Sequence, residues 1–206
     1  TIDPEGTVRP LTPQAPGTTP LVTGVGSGTL TGTYNGIKQT FIIRDADGNV
    51  IAESDYGPPS GSVTITNNFL KAANLSVSTE TVSATRLYRP TTNGSTLFPW
   101  VDLDENTQTG VQDDVADASL NLIAAPTLGS APDLTLIAEW RGRLWGVSRK
   151  EIDYLRYSEA GRMYAWAAAS SILIPKLGSD TRGITALVPR KESLVLGRLN
   201  NIQQIV

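Results

Sequence analysis

The residue types that most often perform acid–base, thiol or metal chemistry are missing from this sequence of 206 residues. It contains no Cys and no His. Disulfides, thiol catalysis, structural zinc and the commonest general base are therefore excluded together. No G-x-x-x-x-G-K-[ST] phosphate loop occurs, and the glycine-rich residues 24–28 are not followed by a helical pattern. We interpret residues 24–28 as a flexible lead-in to the first domain.

Carboxylates are the remaining candidates for catalysis. Glu139, Asp153 and Glu159 lie close together in the C-terminal part of the sequence, and a pair of carboxylates can hydrolyse glycosidic bonds when their spacing is right. Nothing in the sequence fixes their separation, and isolated acids in strands are more often exposed hairpin charges. We therefore predict no catalytic residues and no enzyme, with a carboxylate hydrolase as an alternative.

Residues 102–117 form an acidic segment, DLDENTQTGVQDDVAD. Its six carboxylates are Asp102, Asp104, Glu105, Asp113, Asp114 and Asp117. The opening D-x-D-x-N resembles the start of a calcium loop, since hard cations prefer clustered oxygen ligands. The glycine is misplaced, however, and no Glu closes a loop of the required length. We predict a solvated acidic connection whose Asp side chains cap backbone N–H groups, with no metal and no cofactor; a calcium-stiffened adhesin remains an alternative.

Large aromatic residues are concentrated in the last third of the chain. Those that could form a binding platform are Trp140, Trp145, Tyr164 and Trp166. Together with the neighbouring Arg141 and Arg143, such rings can bind a sugar or a protein. The favoured interpretation is that Trp140 and Trp145 pack between sheets while the Arg residues are solvated.

The composition predicts an all-β protein with many loops. Hydrophobic residues make up 39% and charged residues 18%, and the chain has 19 Gly and 13 Pro with frequent Thr and Ser. The net charge of −3 without a basic block argues against specific nucleic-acid binding. No apolar run is long enough for a membrane span. The opening TIDPEGTVRP does not have the pattern of a signal peptide, and the initial Thr suggests a processed chain or a fragment.

Four segments are predicted along the chain. Residues 1–22 are a Pro-rich arm or linker, because proline resists helix and central strand alike. Residues 23–120 form a β-sandwich of about seven strands with hairpin turns at 45–49 and 92–95. Residues 121–133 are a linker. Residues 134–206 begin with a β-meander of three strands, 134–140, 143–148 and 153–158.

Three segments of the sequence leave alternatives open. Residues 67–77 are compatible with one helical turn or with a loop, and the loop is favoured. Residues 160–171 are compatible with a helix or with an irregular loop. Residues 202–206 begin an apolar strand with an open edge, so either another chain covers that edge or more sequence follows.

The order of several motifs resembles virion proteins of short-tailed phages. The runs TYNGIKQTFIIRDADGNVIAES, SVTIT, ATRLYRP and TNGSTLFPWVDL resemble a fibronectin type III-like module. The following LIAEWRGRLWGVS, DYLRYSEAG and ITALVPRKESLVLG resemble a propeller-like blade of tail nozzle, stabilisation, tail-tip or fibre proteins. The resemblance implies an Ig/fibronectin-like β-sandwich, then a partial β-propeller-like module, with too few blades to close.

The resemblance also implies a mechanical function. The expected protein is a non-enzymatic component of a phage tail or head–tail junction, located in the virion. Its expected partners are other virion subunits in a homo-oligomeric ring or tube, and a host surface receptor is a further candidate partner. The alternative is a receptor- or glycan-binding adhesion module with exposed Trp and Tyr.

Overall fold

The computed structural model describes residues 12–104, 106–121, 123–129, 132–176 and 182–206. The chain divides into two compact units, Thr1–Pro126 and Thr127–Val206. The described residues form fourteen strands in four small antiparallel sheets, with no α-helix, so the all-β prediction is confirmed. In these ranges no sheet closes into a barrel or propeller, and no helix has the length and hydrophobicity needed to cross a membrane.

The first unit contains two sheets. Its strands are β1 (Leu21–Tyr34), β2 (Lys38–Arg44), β3 (Val50–Glu53), β4 (Val63–Ala73), β5 (Ala84–Pro90), β6 (Leu97–Leu103) and β7 (Gly110–Asp113). One sheet has the order β1-β4-β7 and the other has the order β3-β2-β5-β6. Both predicted hairpin turns are confirmed, because β2 pairs with β3 and β5 pairs with β6. Gly48 and Asn93 take the positive φ angles, 85° and 58°, that these turns require.

One hydrophobic cluster joins both sheets of the first unit. It contains Leu30 and Tyr34 from β1, Leu70 from β4, Leu87 from β5 and Trp100 from β6. Successive side chains of a strand point to opposite faces of its sheet, so only one face of each sheet contributes to this cluster. The two sheets therefore share a single core.

The glycine-rich residues 24–28 belong to β1, so the prediction of a flexible lead-in is wrong. Val25 pairs with Phe69, and the next pair along the ladder is Leu30 with Asn68. The four residues 26–29 thus bulge from the strand, with Gly26 at a φ of 61°. A Cβ at Gly28 would lie 2.6 Å from backbone atoms of Asn68 and Phe69. Glycine is needed here because the two backbones approach too closely for a side chain.

The segment at residues 67–77, expected to be a loop or a helical turn, continues strand β4 as far as Ala73. Asn67 and Asn74 take positive φ angles of 50° and 57°, and Asn tolerates that region better than most residues. The prediction from local residue propensity was wrong here because pairing with β1 and β7 satisfies the backbone hydrogen bonds of this segment.

Beyond β4, two amide side chains take the place of a neighbouring strand. Gln39 donates from Nε2 to the Ser76 carbonyl at 2.7 Å and accepts from the Ser76 N–H at 2.9 Å. Asn106 makes the same pair of bonds with Ser78, both at 2.8 Å. The backbone groups of Ser76 and Ser78 are thereby satisfied without a sheet partner.

The described part of the Pro-rich arm, residues 12–20, packs on the first unit. Pro13, Pro16 and Pro20 are buried. The Gln14 N–H donates to Oε2 of Glu80 at 2.7 Å, and the Thr18 N–H donates to Oγ of Ser76 at 2.9 Å. Proline lacks an N–H, so this segment is held by side chains instead of a ladder. Residues 1–11 lie outside the described ranges.

The second unit contains two further sheets. Its strands are β8 (Leu134–Trp140), β9 (Arg143–Ser148), β10 (Tyr154–Tyr157), β11 (Ser171–Leu173), β12 (Ala186–Pro189), β13 (Leu194–Gly197) and β14 (Ile202–Ile205). Their orders are β11-β10-β9-β8 and β12-β13-β14. The predicted meander is confirmed. The first hairpin turns at Arg141-Gly142, where both residues have positive φ. Residues 160–171 contain no helix; they form successive turns that lead into β11.

A second hydrophobic cluster joins the two sheets of the second unit. It contains Trp140, Trp145 and Leu155 from the first sheet, with Leu194 and Leu196 from the second. Leu155 and Leu194 are completely buried. Each unit thus has its own core.

Replacing Gly28 by Ala should destabilise the protein by about 1–3 kcal/mol, because the new methyl group would press on the backbone of β4. Gly61→Ala is the matched control, since no atom lies within 4 Å of the place that its methyl group would take. Urea unfolding of both variants measures the difference. Equal midpoints for the two variants would show that the close approach is absent.

Candidate functional site

The four aromatic residues of the predicted platform are buried. Trp140, Trp145 and Tyr164 are each 7% exposed and Trp166 is 3% exposed. The rings of Trp140 and Trp145 lie 5.8 Å apart in the core of the second unit. Arg141 stacks over Trp140, with its guanidinium carbon 4.6 Å from the ring centre. These rings pack the core, so they do not present the exposed surface that a glycan platform needs.

The three carboxylates considered for hydrolysis have separate environments. Glu139 is exposed on β8. Asp153 accepts hydrogen bonds from Arg198 at 2.7 Å and pairs with Lys176 at 3.1 Å. Glu159 accepts from the Thr127 N–H at 3.0 Å and lies 3.4 Å from a nitrogen of Arg162. Asp153 and Glu159 are thus each occupied by their own donors.

The acidic segment at residues 102–117 supplies hydrogen-bond acceptors to the first unit. Asp113 accepts from Nε1 of Trp100 at 2.7 Å, and Asp114 accepts from the Thr29 N–H at 2.8 Å. Part of the segment is strand β7, which was not predicted. In the described residues no group of three or more acidic side chains is arranged to hold a metal ion. Glu105 lies outside the described residues.

One hydrogen-bonded group of polar side chains was not anticipated from the sequence. It lies on the β3-β2-β5-β6 sheet around Glu53, a residue that is only 1% exposed. Oε1 of Glu53 accepts hydrogen bonds from the hydroxyls of Thr40 at 2.7 Å and Tyr88 at 2.6 Å. Oε2 receives no hydrogen bond from the described residues and lies 3.7 Å from a nitrogen of Arg86. We call this group the Glu53 cluster.

Asp102 completes the Glu53 cluster. Arg86 donates to it from both Nε, at 2.6 Å, and a terminal nitrogen, at 2.8 Å, and Arg44 forms a second ion pair with it. Such a bidentate pair fixes the orientation of both groups. The side chains of four neighbouring strands are therefore connected across one sheet.

Burial and hydrogen bonding set the ionisation of the Glu53 cluster. Burial raises the pKa of Glu53 above its usual value, and the donors Tyr88 and Thr40 and the charge of Arg86 offset this only in part. The pKa of Tyr88 is also raised, by burial and then by the charge of Glu53. Burial disfavours the Arg86 cation, but the bonds to Asp102 outweigh that effect and raise its pKa. Arg86 and Tyr88 therefore keep their protons at neutral pH.

A second buried arginine, Arg89, ties β5 to the segment after β7. Its side chain is fully buried and donates to Asp117 at 2.6 Å and to the carbonyl of Val115. The guanidinium carbon also lies 5.3 Å from the ring centre of Tyr34. Burial alone would raise the pKa of Asp117, but the hydrogen bonds from Arg89 and Thr92 lower it. The carboxylate therefore stays charged and holds the arginine.

Arg198 plays the equivalent part in the second unit. Its fully buried side chain donates at 2.7 Å to Asp153 and to the carbonyls of Ile174 and Arg182. Burial would raise the pKa of Asp153, but the hydrogen bonds from Arg198 and Lys176 lower it. The Arg198 guanidinium therefore binds three separate segments of the chain.

The sequence contained a signal for these clusters. Strand β5, ATRLYRP, alternates so that Arg86 and Tyr88 share one face while Leu87 and Arg89 share the other. An arginine on the same face as a core leucine in a strand indicates a buried cation, which must find an anion. The pattern does not say which carboxylate pairs with it.

Glu53→Gln should change how stability depends on pH. A raised folded-state pKa contributes stability below the unfolded-state pKa, and this contribution is lost as pH rises through the folded value. The unfolding free energy of the wild type should therefore fall, relative to that of the Gln variant, as pH rises above the usual range of a glutamate carboxyl. Urea unfolding at a series of pH values measures this. If the difference in unfolding free energy between the wild type and the Gln variant were the same at every pH, the raised pKa would be contradicted. Asp117→Asn is the control of opposite sign, because its lowered pKa makes stability decline as pH falls.

Arg198→Met should destabilise the second unit by about 2–4 kcal/mol, because Asp153 and two carbonyls lose their donor. Arg149→Met is the control, since the pair between Arg149 and Asp133 is exposed and should contribute less than about 1 kcal/mol. Chemical denaturation, monitored by hydrogen exchange of the amides in the second unit, measures the stability loss in both variants. Similar losses for the two variants would contradict the role of burial.

Comparison with known proteins gives no assignment. No protein family, curated protein or solved structure matches the chain.

Proposed function

We propose that the chain is a non-enzymatic structural component of a phage virion, from the tail nozzle, the tail tip or the head–tail junction. The resemblance of its motif order to short-tailed phage proteins supports this location. Its partners are other subunits of the same ring or tube. In such an assembly symmetry repeats one modest contact many times.

The strand arrangement supports the finer architecture within this proposal. Seven strands in two sheets around one core are compatible with an Ig/fibronectin-like sandwich. The four-stranded meander followed by a three-stranded one is compatible with one propeller-like blade and part of the next. A partial propeller has unpaired edges, which suits a subunit that is completed by its neighbours.

The observation that carries the proposal is the position of exposed apolar side chains. In the second unit, each outermost strand of the two described sheets carries one large exposed hydrophobic residue. They are Ile137 on β8, Leu173 on β11, Val188 on β12 and Ile202 on β14, between 47% and 76% exposed. Proteins usually protect sheet edges with charges or proline; β8 has Glu139 and β12 has Pro189, whereas β11 and β14 carry neither. Apolar residues at these edges favour burial against another strand.

The buried ion pairs support a mechanical role. Arg89 and Arg198 each connect segments far apart in sequence. Removing one partner of such a pair is strongly destabilising, so these contacts hold the segments in one geometry. A subunit that transmits force in an assembly requires that stiffness.

The receptor- or glycan-binding alternative receives less support. It relied on exposed rings at Trp140, Trp145 and Tyr164, and these are buried.

Sedimentation and electron microscopy of the purified protein test the assembly. We expect rings or tubes that form in a concentration-dependent way. Ile137→Lys combined with Leu173→Lys should abolish them while leaving the melting temperature unchanged, because both side chains are exposed. Val77→Lys, an exposed apolar position outside the strands, is the control and should assemble normally.

A wild-type protein that remains a monomer at every concentration would overturn the proposal, as would edge variants that assemble like the wild type. Mass spectrometry of purified virions of the source phage should also detect the chain. Its absence from the particles would exclude a virion component.

A further inference from the structure

Strand β14 lies at the end of its sheet. In the described part of the chain it pairs with β13 on one side only, in the order β12-β13-β14. Residues 200–206, NNIQQIV, include this strand and contain neither a charge nor a proline. Charges and proline normally protect a sheet edge, because an open edge is a template for another strand. β14 therefore lacks the usual protection against pairing with a further chain.

The alternation of the β13–β14 ladder shows which backbone groups of β14 are open. In the turn between the two strands, the Arg198 N–H donates to the Asn201 carbonyl at 2.9 Å. Bonded and non-bonded pairs alternate along an antiparallel ladder. Counting from this bonded pair, Gln203 bonds to β13, whereas Ile202 and Gln204 do not. The N–H and C=O groups of Ile202 and Gln204 therefore point outward, away from β13.

The exposed face of β14 is apolar at both ends and polar in the middle. Side chains two residues apart lie on the same face of a strand, so Ile202, Gln204 and Val206 share this face. Ile202 and Val206 are each 76% exposed, more than any other large hydrophobic side chain of the described residues. The order apolar, amide, apolar is the same in both directions. Such a face is complementary to itself when two copies run antiparallel.

We propose that β14 pairs with β14 of a second copy of this chain, antiparallel and with a twofold axis at Gln204. Ile202 then lies opposite Val206 of the partner subunit, and the two Gln204 side chains lie opposite each other. The outward backbone groups of Ile202 and Gln204 gain the hydrogen bonds that β13 does not provide. No like charges meet across the axis, since the strand has none. The three-stranded sheets of the two copies become one continuous sheet.

This pairing rests on the proposed function, because it names one contact of that assembly. A contact between two identical patches is closed by its own twofold axis. It therefore joins two subunits or two rings and does not extend a ring, for which the other outer strands remain. A ladder this short buries less than the ~1,200 Å² of a stable interface. The isolated dimer is therefore weak, and a covalent trap is the sharpest test.

Single-cysteine variants of the full chain can trap the pairing, because the chain contains no other Cys. Bonded antiparallel pairs place their Cα atoms ~5.5 Å apart, a distance that a disulfide spans. With oxygen and a copper catalyst, Gln204→Cys should link to itself about tenfold faster than Val77→Cys, because pairing raises the effective concentration. Val77 is the control, since it is exposed and outside the strands. Ile202→Cys should link to Val206→Cys when the two are mixed, but not to itself.

Each other outcome of the linking test contradicts one of the proposals. Equal rates for Gln204→Cys and Val77→Cys overturn the contact. Fast self-linking of Ile202→Cys indicates parallel strands, and fast linking of Ile202→Cys to Gln204→Cys indicates a shifted register; either result overturns the pairing. Wild-type rings or tubes without the Gln204 link leave the assembly standing and remove the β14 contact. The link without rings or tubes supports the β14 contact and contradicts the larger assembly.

A charge swap at Gln204 tests the same contact without a covalent bond. Gln204→Lys and Gln204→Glu each place two like charges opposite each other, so each should sediment as a monomer in about 20 mM salt where the wild type dimerises. An equal mixture of the two variants should form the dimer again. Gln204 is exposed, so both should keep the melting temperature of the wild type. Equal dimerisation of the single variants and the mixture would contradict the proposal, as would a wild type that stays monomeric at about 1 mM, the range of weak binding.

Discussion

Buried guanidinium groups fix the relative positions of chain segments that are distant in sequence. Arg89 and Arg198 have fully buried side chains, and Arg86 is mostly buried beside Glu53. A buried cation is tolerated only if carboxylates and carbonyls surround it in good geometry. Each arginine therefore fixes the positions of segments distant in sequence: Arg89 holds the chain after β7, and Arg198 holds the ends of several strands in the second unit. In a chain without Cys, no disulfide can do this.

In small open sheets, some backbone groups need hydrogen-bond partners other than a neighbouring strand. The amides of Gln39 and Asn106 each donate to and accept from one residue of the segment that follows β4. The described part of the Pro-rich arm then lies on this segment through Gln14 and Thr18. Side chains thus complete the backbone hydrogen bonding where no strand is available, which leaves the shape of this region dependent on a few polar residues.

Local rules predicted much of the fold. The hairpins β2/β3 and β5/β6 and the meander β8–β10 were predicted from turn sequences, from alternating apolar residues and from β-branched runs. Such features depend only on neighbours in sequence. The bulge at residues 26–29 and the continuation of β4 were missed, since both depend on pairing between strands some forty residues apart. The Glu53 cluster was missed for the same reason. Alternation in β5 indicates that Arg86 and Tyr88 share a face, but only the strand order brings Glu53 and Asp102 to them.

The large aromatic side chains of the second unit are buried, whereas several of its large aliphatic side chains are exposed. Trp140 and Trp145 use their area inside the core and satisfy their N–H groups with backbone carbonyls, as tryptophan in a core usually does. Trp166 is equally buried but lacks an acceptor among the described residues, so burial of its ring does not explain its N–H. By contrast, Ile137 and Leu173 lie exposed on outer strands, where no internal contact accounts for them. The four rings therefore lie in the interior, and the large exposed apolar side chains of the second unit's sheets lie instead on the outer strands.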